Sequence, residues 1–297
     1  MQTNVRYKFE FLRVGDKIMK IPLKIMYGLV QLWLIVFLGI IVWQVLHRSP
    51  TISSDVYPYL NTISPALVKQ CIQENYKSPT IAYGDLLAIH STIPEVEAQK
   101  LIDQLRENKT FSNLKWGLLS SDTIKTIQRR REIIEQFSYY YPDKYTFPVV
   151  GTTWYEDSFG ADREGGARRH EGTDLFGKEG TPIVSICGGK IEQLGWNRLG
   201  GERVGVRGDD GNYYYYAHLQ YISPKLIKGK RIEAGEFIGG MGHTGDALTT
   251  PDHLHFGIEL PNGQWINPYP FLAVWQIWES GEKSYSSSYS LMNGVSI

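Results

Sequence analysis

The sequence predicts an α+β chain with one N-terminal transmembrane helix, a small helical region and then a mainly antiparallel β domain. Three observations carry this. A long apolar run spans residues 25–46 and is broken only by Gln31 and Gln44. Apolar residues then recur at helical spacing from Ser64 to about Tyr141. Beyond that, short apolar runs punctuated by glycine take over, as in antiparallel sheets. Composition agrees: 30 glycines and 13% aromatic residues suit a turn-rich β domain better than a helical bundle. Lys+Arg and Asp+Glu both number 31, so nothing in the overall charge favours nucleic acid as a partner.

Residues 1–24 are read as a cytoplasmic N-terminus. They carry Arg6, Lys8, Arg13, Lys17, Lys20 and Lys24 against Glu10 and Asp16. The run at 25–46 suffices for a bilayer core, which takes about 20 helical residues. The basic flank puts the N-terminal side in the cytoplasm and the rest of the chain outside the cell membrane. No small-x-small cleavage site precedes His47-Arg48-Ser49-Pro50, so an uncleaved signal anchor is preferred to a cleaved signal peptide. Residues 47–63 are read as a linker.

The helical region is placed at 64–142. Ser64-Pro65 supplies an N-cap and a first-turn proline. A second segment opens at Ile93-Pro94-Glu95 and repeats Ala98, Leu101, Ile102 and Leu105. A third, from about Asp122 to Tyr139, sets Ile124, Ile127, Ile133, Ile134 and Phe137 on one broad face. Arg129-Arg130-Arg131 is expected to be its solvated side, and His90 to be packed or at the surface. The region carries no visible chemistry.

The β domain is placed at 143–270, with strands expected near 182–186, 189–195, 203–207, 213–219, 237–241, 253–260 and 264–266. Asp209-Asp210-Gly211-Asn212 and Pro261-Asn262-Gly263-Gln264 are hairpin turns, since Asn and Gly accept positive φ. Residues 271–297 are read as a C-terminal tail, a short apolar segment and then a mobile Ser/Tyr-rich stretch. Cys71 and Cys187 lie far apart outside any CxxC pattern and are expected to be two buried thiols rather than a disulfide.

The chemistry concentrates in two places. His253-Leu254-His255 alternates polar and apolar, so both imidazoles share one face of a strand. His170-Glu171-Gly172-Thr173-Asp174 pairs an imidazole with a carboxylate across a glycine-bearing loop. That pair and one strand imidazole make a three-ligand zinc site with a fourth position open for water. His243, in a glycine-bearing turn, is read as structural; Arg168 and Arg169 are read as solvated loop arginines, with carboxylates of the substrate as the alternative partner. Of Tyr213–Tyr216, alternation sends one pair to the core and leaves the other for a groove.

The ordered set HxxxD, Tyr216-Ala217-His218-Leu219 and HxH resembles the lysostaphin/LytM-type zinc peptidoglycan endopeptidases. The flanks Gly165–Leu175, Gly180-Thr181-Pro182-Ile183 and Gly242-His243-Thr244-Gly245 agree, and the resemblance covers about 147–269. It implies an antiparallel β domain with a groove for an extended peptide, one Zn2+ per chain held by His170, Asp174 and His255, and His218 and His253 as catalytic imidazoles. It implies hydrolysis of peptide bonds in peptidoglycan cross-links or stem peptides by a zinc-activated water; the apolar run, outside the resemblance, makes the cytoplasmic membrane a second partner. The alternative is a non-hydrolytic scaffold or regulator on the same fold, binding a cell-wall, division or sporulation partner protein. On either reading the helical region is expected to be a spacer and packing partner, or else a regulatory segment covering the groove.

Overall fold

The computed structural model describes residues 13–14, 17–18, 23–46, 56–107, 109–141 and 144–279. The chain parts into two compact units, Met1–Arg48 and Ser49–Ile297. In the first, β1 (Arg13–Val14) pairs antiparallel with β2 (Lys17–Ile18), and α1 (Leu23–Leu46) follows. The side chains of α1 are described over 26–39, and the large apolar ones there, such as Leu32, Trp33, Ile35 and Leu38, are exposed. Among the described residues no helix is long and apolar enough to cross a membrane. The cytoplasmic segment mostly, the linker up to Asp55 and the Ser/Tyr-rich end beyond Glu279 lie outside the described residues.

The second unit opens with α2 (Tyr57–Leu60), α3 (Pro65–Lys77), α4 (Tyr83–His90), α5 (Glu95–Arg106) and α6 (Ser121–Phe137), with a 3-10 turn at Phe111–Asn113. Ser64 caps α3 by accepting from the Leu67 N–H at 3.3 Å, as its sequence position suggests. The sequence does not reveal α4, and the reason is physical. Leu86, Leu87, Ala88 and Ile89 are all fully buried, so no polar stripe marks a helical period. His90, at its end, is packed between Glu74 at 2.9 Å and Glu95 at 3.0 Å.

Two of the three consecutive arginines on α6 are not the solvated face expected of them. Arg130 is buried and donates to the Ser91 carbonyl at 2.5 Å. Arg131 pairs with Asp85 and lies 4.9 Å over the Phe111 ring. Only Arg129 behaves as a surface charge, 3.3 Å from Glu132.

The β domain comprises β3 (Trp154–Tyr155), β4 (Asp162–Arg163), β5 (Arg168–Arg169), β6 (Thr173–Phe176), β7 (Pro182–Val184), β8 (Gly189–Asn197), β9 (Gly201–Gly208), β10 (Tyr213–Ile222), β11 (Arg231–Ile232), β12 (Phe237–Met241), β13 (His253–Glu259) and β14 (Trp265–Ile266). The main sheet runs β11-β8-β9-β10-β13-β6-β3, with β12 bridging β10 and β7 and β14 on β13, all antiparallel. β4 and β5 form a separate hairpin beside it. Both expected turns form: Gly208 N donates to Asn212 O and Leu260 N to Gln264 O, each at 2.8 Å, around Gly211 and Gly263 at positive φ. The short strands β3 to β6 are not legible in the sequence, because two to four residues are too few to show an alternation. Asp174 therefore stands on a strand, not in the loop the sequence suggested.

The segment read as the start of a tail is instead α7 (Tyr269–Glu279), and it belongs to the core. Phe271, Leu272, Val274 and Trp275 are buried. Trp275 Nε1 donates to the Tyr139 carbonyl at 2.9 Å, and its ring stacks on Tyr145 at 5.0 Å. Tyr139 packs on Phe271 at 4.7 Å, while Tyr145 donates to Asp210 of the hairpin turn at 2.9 Å. Helical region and sheet thus share one apolar core, in which Cys71 and Cys187 sit as separate buried thiols.

Candidate metal centre

Register builds the site. His255 on β13 pairs directly with Asp174 on β6, so their side chains leave the sheet side by side on one face. The opposite face of β13 carries the fully buried Leu254, Phe256 and Ile258. His170 enters from the segment before β6, where its backbone exchanges hydrogen bonds with Ala161 at 2.9 Å and Gly160 at 2.8 Å. Gly172 permits the short return between them: a Cβ there would meet the Phe256 carbonyl at 2.5 Å and the His255 ring at 2.7 Å.

Three donor atoms converge. His170 Nε2 lies 3.0 Å from Asp174 Oδ1 and 2.9 Å from His255 Nδ1, and His255 Nδ1 lies 3.1 Å from Asp174 Oδ1. A carbonyl has no proton to give, so His170 Nδ1, 2.9 Å from Ser158 O, carries the ring proton. That leaves a lone pair on Nε2 aimed at the other two donors, an arrangement that calls for a cation. A tetrahedral zinc, with bonds of about 2.0–2.1 Å, sets its ligands about 3.3 Å apart, close to this triangle. The residues fit one zinc ion. A second grouping, Glu179, His243 and Asp252, is open to solvent with Glu179 exposed, whereas His170 and Asp174 are buried. In it His243 Nδ1 meets Asp252 at 2.6 Å, the structural role expected of it.

Burial raises the Asp174 carboxyl, but the hydrogen bonds and charge of His170 and His255 outweigh it and hold the group far below the usual carboxylate range. Its second oxygen, Oδ2, accepts from Arg163 of β4 at 2.5 Å. Sequence reading missed Arg163, since only the β4–β5 hairpin brings it to the site.

His218 and His253 complete the cluster, with ring centroids 4.9 Å apart and His218 5.9 Å from His255. Strict alternation would send His218 inward with Tyr214 and Tyr216, both fully buried. A bulge between Tyr216 and Leu219 and a φ of 61° turn it to the site face instead. Its Nδ1 donates to the Thr244 carbonyl at 2.8 Å, and that of His253 to the Pro251 carbonyl at 2.8 Å, so both Nε2 atoms keep free lone pairs. Burial, with the nearby His255 and His253, pushes the His218 imidazole down to about 4. All five residues expected from the sequence come together.

Tyr213 and Tyr215 line a neighbouring cavity of about 630 Å³ with His218, His255 and Trp265. Among the described residues, none of the helical region is part of its lining.

Residues 168–268 match the model of peptidase family M23. The chain is 35% identical over 180 residues to the L-Ala–D-Glu endopeptidase of Bacillus subtilis (strain 168), covering 57% of this chain and 55% of that protein. It is 38% identical over 130 residues to the glycyl-glycine endopeptidase ALE-1 of Staphylococcus capitis, covering 42% of this chain and 33% of that one. Lysostaphin of Staphylococcus simulans is 37% identical over 108 residues, 35% of this chain and 21% of its own length. The chain thus spans about half the length of the first of these relatives and less of the others. The five residues of the site all fall within the stretch that matches the model of peptidase family M23.

Proposed function

We propose that this chain is a zinc-dependent endopeptidase that hydrolyses peptide bonds in bacterial peptidoglycan, in stem peptides or cross-links. The observation that carries the reading is the junction of a three-donor triangle with two imidazoles whose Nε2 atoms are held free. Two relatives are endopeptidases by name, one for an L-Ala–D-Glu bond and one for a glycyl-glycine bond, which supports this reading.

His170, Asp174 and His255 would hold the zinc, which supplies Lewis acidity toward the scissile carbonyl and an acidified water. The rest falls to the chain. Carbonyls of Thr244 and Pro251 fix the tautomers of His218 and His253 with Nε2 toward the reacting centre. A neutral Nε2 accepts the proton of the attacking water, and the resulting imidazolium stabilises the oxyanion or returns a proton to the leaving amine. The low basicity of His218 keeps it neutral at pH 7, ready to accept. The groove face beside it takes the substrate as an extended peptide.

We further propose that α1 anchors the chain in the cytoplasmic membrane, N-terminus inside and β domain outside, where peptidoglycan lies. The apolar side chains exposed along 26–39 and the basic residues before them support this. The test of the activity is release of new amino groups from purified peptidoglycan by the zinc-loaded full-length protein, with His253→Ala alongside. Release by the wild type alone is expected. No release from several wall types, with one zinc bound, would point instead to a non-hydrolytic scaffold with a protein partner.

A further inference from the structure

Four arginines line the groove cavity: Arg168, Arg169, Arg203 and Arg207. Three are spoken for. Arg168 is 2.7 Å from Asp246 and 3.1 Å from Glu164, Arg169 pairs with Asp162, and Arg207 holds Glu192 at 2.7 Å. Arg203 differs. Among the described residues its guanidinium has no ion-pair partner, and its Nη1 is buried without any hydrogen-bond partner. Glu171 and Glu259 line the same cavity but do not pair with it.

The sheet explains its position. On β9, Val204 and Val206 are fully buried in the core, so Arg203, Gly205 and Arg207 face the groove. Gly205 leaves room for the phenol of Tyr213, whose hydroxyl lies 2.0 Å from where a Cβ would stand. Arg203 is near enough that its charge acts on both Tyr213 and Tyr215. A guanidinium with donors to spare, in the cavity it shares with Tyr213, Tyr215, His218 and His255, is built to meet a planar anion. Leaving such a donor buried and unmatched is costly unless a ligand completes it.

We propose that Arg203 binds a carboxylate of the substrate, so that the groove selects an acidic peptide over a neutral glycine bridge. This rests on the endopeptidase reading for the identity of the peptide. The relative named for an L-Ala–D-Glu bond, rather than the one named for a glycyl-glycine bond, then shares its substrate class.

The test uses two synthetic stem peptides that differ only in whether the glutamyl carboxylate is free or a primary amide, with pentaglycine as a third probe. Binding is measured by calorimetry on full-length zinc-loaded His253→Ala protein, with and without Arg203→Met or Arg203→Lys, and cleavage on the wild type. Amidation is expected to weaken binding roughly 10- to 100-fold. Arg203→Met should weaken the free-acid peptide by the same factor, leave the amide unchanged, and Arg203→Lys should recover part of the loss. Equal binding of acid and amide, binding of neither, or equal losses for both in Arg203→Met would overturn the proposal. If Arg203→Met fails to fold, the acid–amide comparison on the Arg203 protein still decides. Acid-selective binding without any cleavage would uphold the subsite and sink the endopeptidase reading instead.

Discussion

Arg163 offers a test of how the metal centre is held. Asp174 Oδ1 stands 3.0 and 3.1 Å from the two ligand imidazole nitrogens, while Oδ2 is taken by Arg163 at 2.5 Å. The charge-assisted bond fixes the plane of the carboxylate and reserves one oxygen for the metal. In Arg163→Met the carboxylate is free to rotate and the nearby positive charge is gone. Loss of an outer partner of a metal ligand typically costs 10- to 100-fold in metal affinity, about 1.4–2.7 kcal/mol. The Arg163 side chain is 35% exposed, so solvent screening argues for the lower end, about tenfold. Arg163→Lys keeps the charge without the planar fork and should fall between. The assay is zinc affinity by competition with a chelator, run with the thermal midpoint of the zinc-free protein. A purely structural role would lower the midpoint and leave affinity alone. Wild-type zinc affinity in a well-folded Arg163→Met would refute the reasoning.

Other perturbations separate the roles of neighbours. His255→Ala should bind no zinc, whereas His253→Ala should keep one zinc per chain and lose hydrolysis; elemental analysis beside amine release checks both, and a hydrolysing His253→Ala would end its catalytic assignment. Thr244→Val removes a hydroxyl that accepts from Glu202 N at 2.9 Å and donates to Leu219 O at 2.7 Å. It should loosen the segment whose carbonyl holds His218, lowering kcat about tenfold or more with zinc content unchanged; an unaltered kcat would show that His218 does not depend on this anchor. Trp275→Ala empties a fully buried site and unpairs the Tyr139 carbonyl, and should destabilise the protein by about 3–5 kcal/mol. Denaturant unfolding measures it, and a loss below about 1 kcal/mol would show that α7 is not part of the shared core.

What the sequence disclosed follows from the range of the signal. The HxH pair was legible because period-two alternation is local, and the hairpin turns because Asn and Gly state their backbone preference in place. That Asp174 faces His255 was not, since it depends on β6 pairing with β13 across 81 residues. Arg163 was invisible for the same reason. α4 was missed because complete burial erases the amphipathic period, and Arg130 because a charge run does not announce which member finds a buried carbonyl. α7 reads as a tail because its apolar face has meaning only against Tyr139 and Tyr145, and Tyr139 lies 136 residues before Trp275.

His218 shows why the flanking glycines accompany the chemistry. A non-glycine residue at φ 61° costs on the order of 1–3 kcal/mol unless its surroundings impose it. Here they do. The His218 N–H donates to Gly200 O at 2.7 Å, and its ring is pinned by Thr244 O. Thr244 can approach only because Gly201, at φ 62°, has no Cβ to strike its hydroxyl, and Gly245, at φ 75°, has none to strike the Gly201 amide; the two hypothetical contacts are each 2.2 Å. The Gly200-Gly201 and Thr244-Gly245 pairs are thus the two halves of a clamp. Side chains placed at either would push Thr244 outward and let His218 relax toward the core face, away from the zinc ligands. The contacts that hold His218 in this conformation reach its backbone N–H and its Nδ1, which leaves Nε2 free for the substrate.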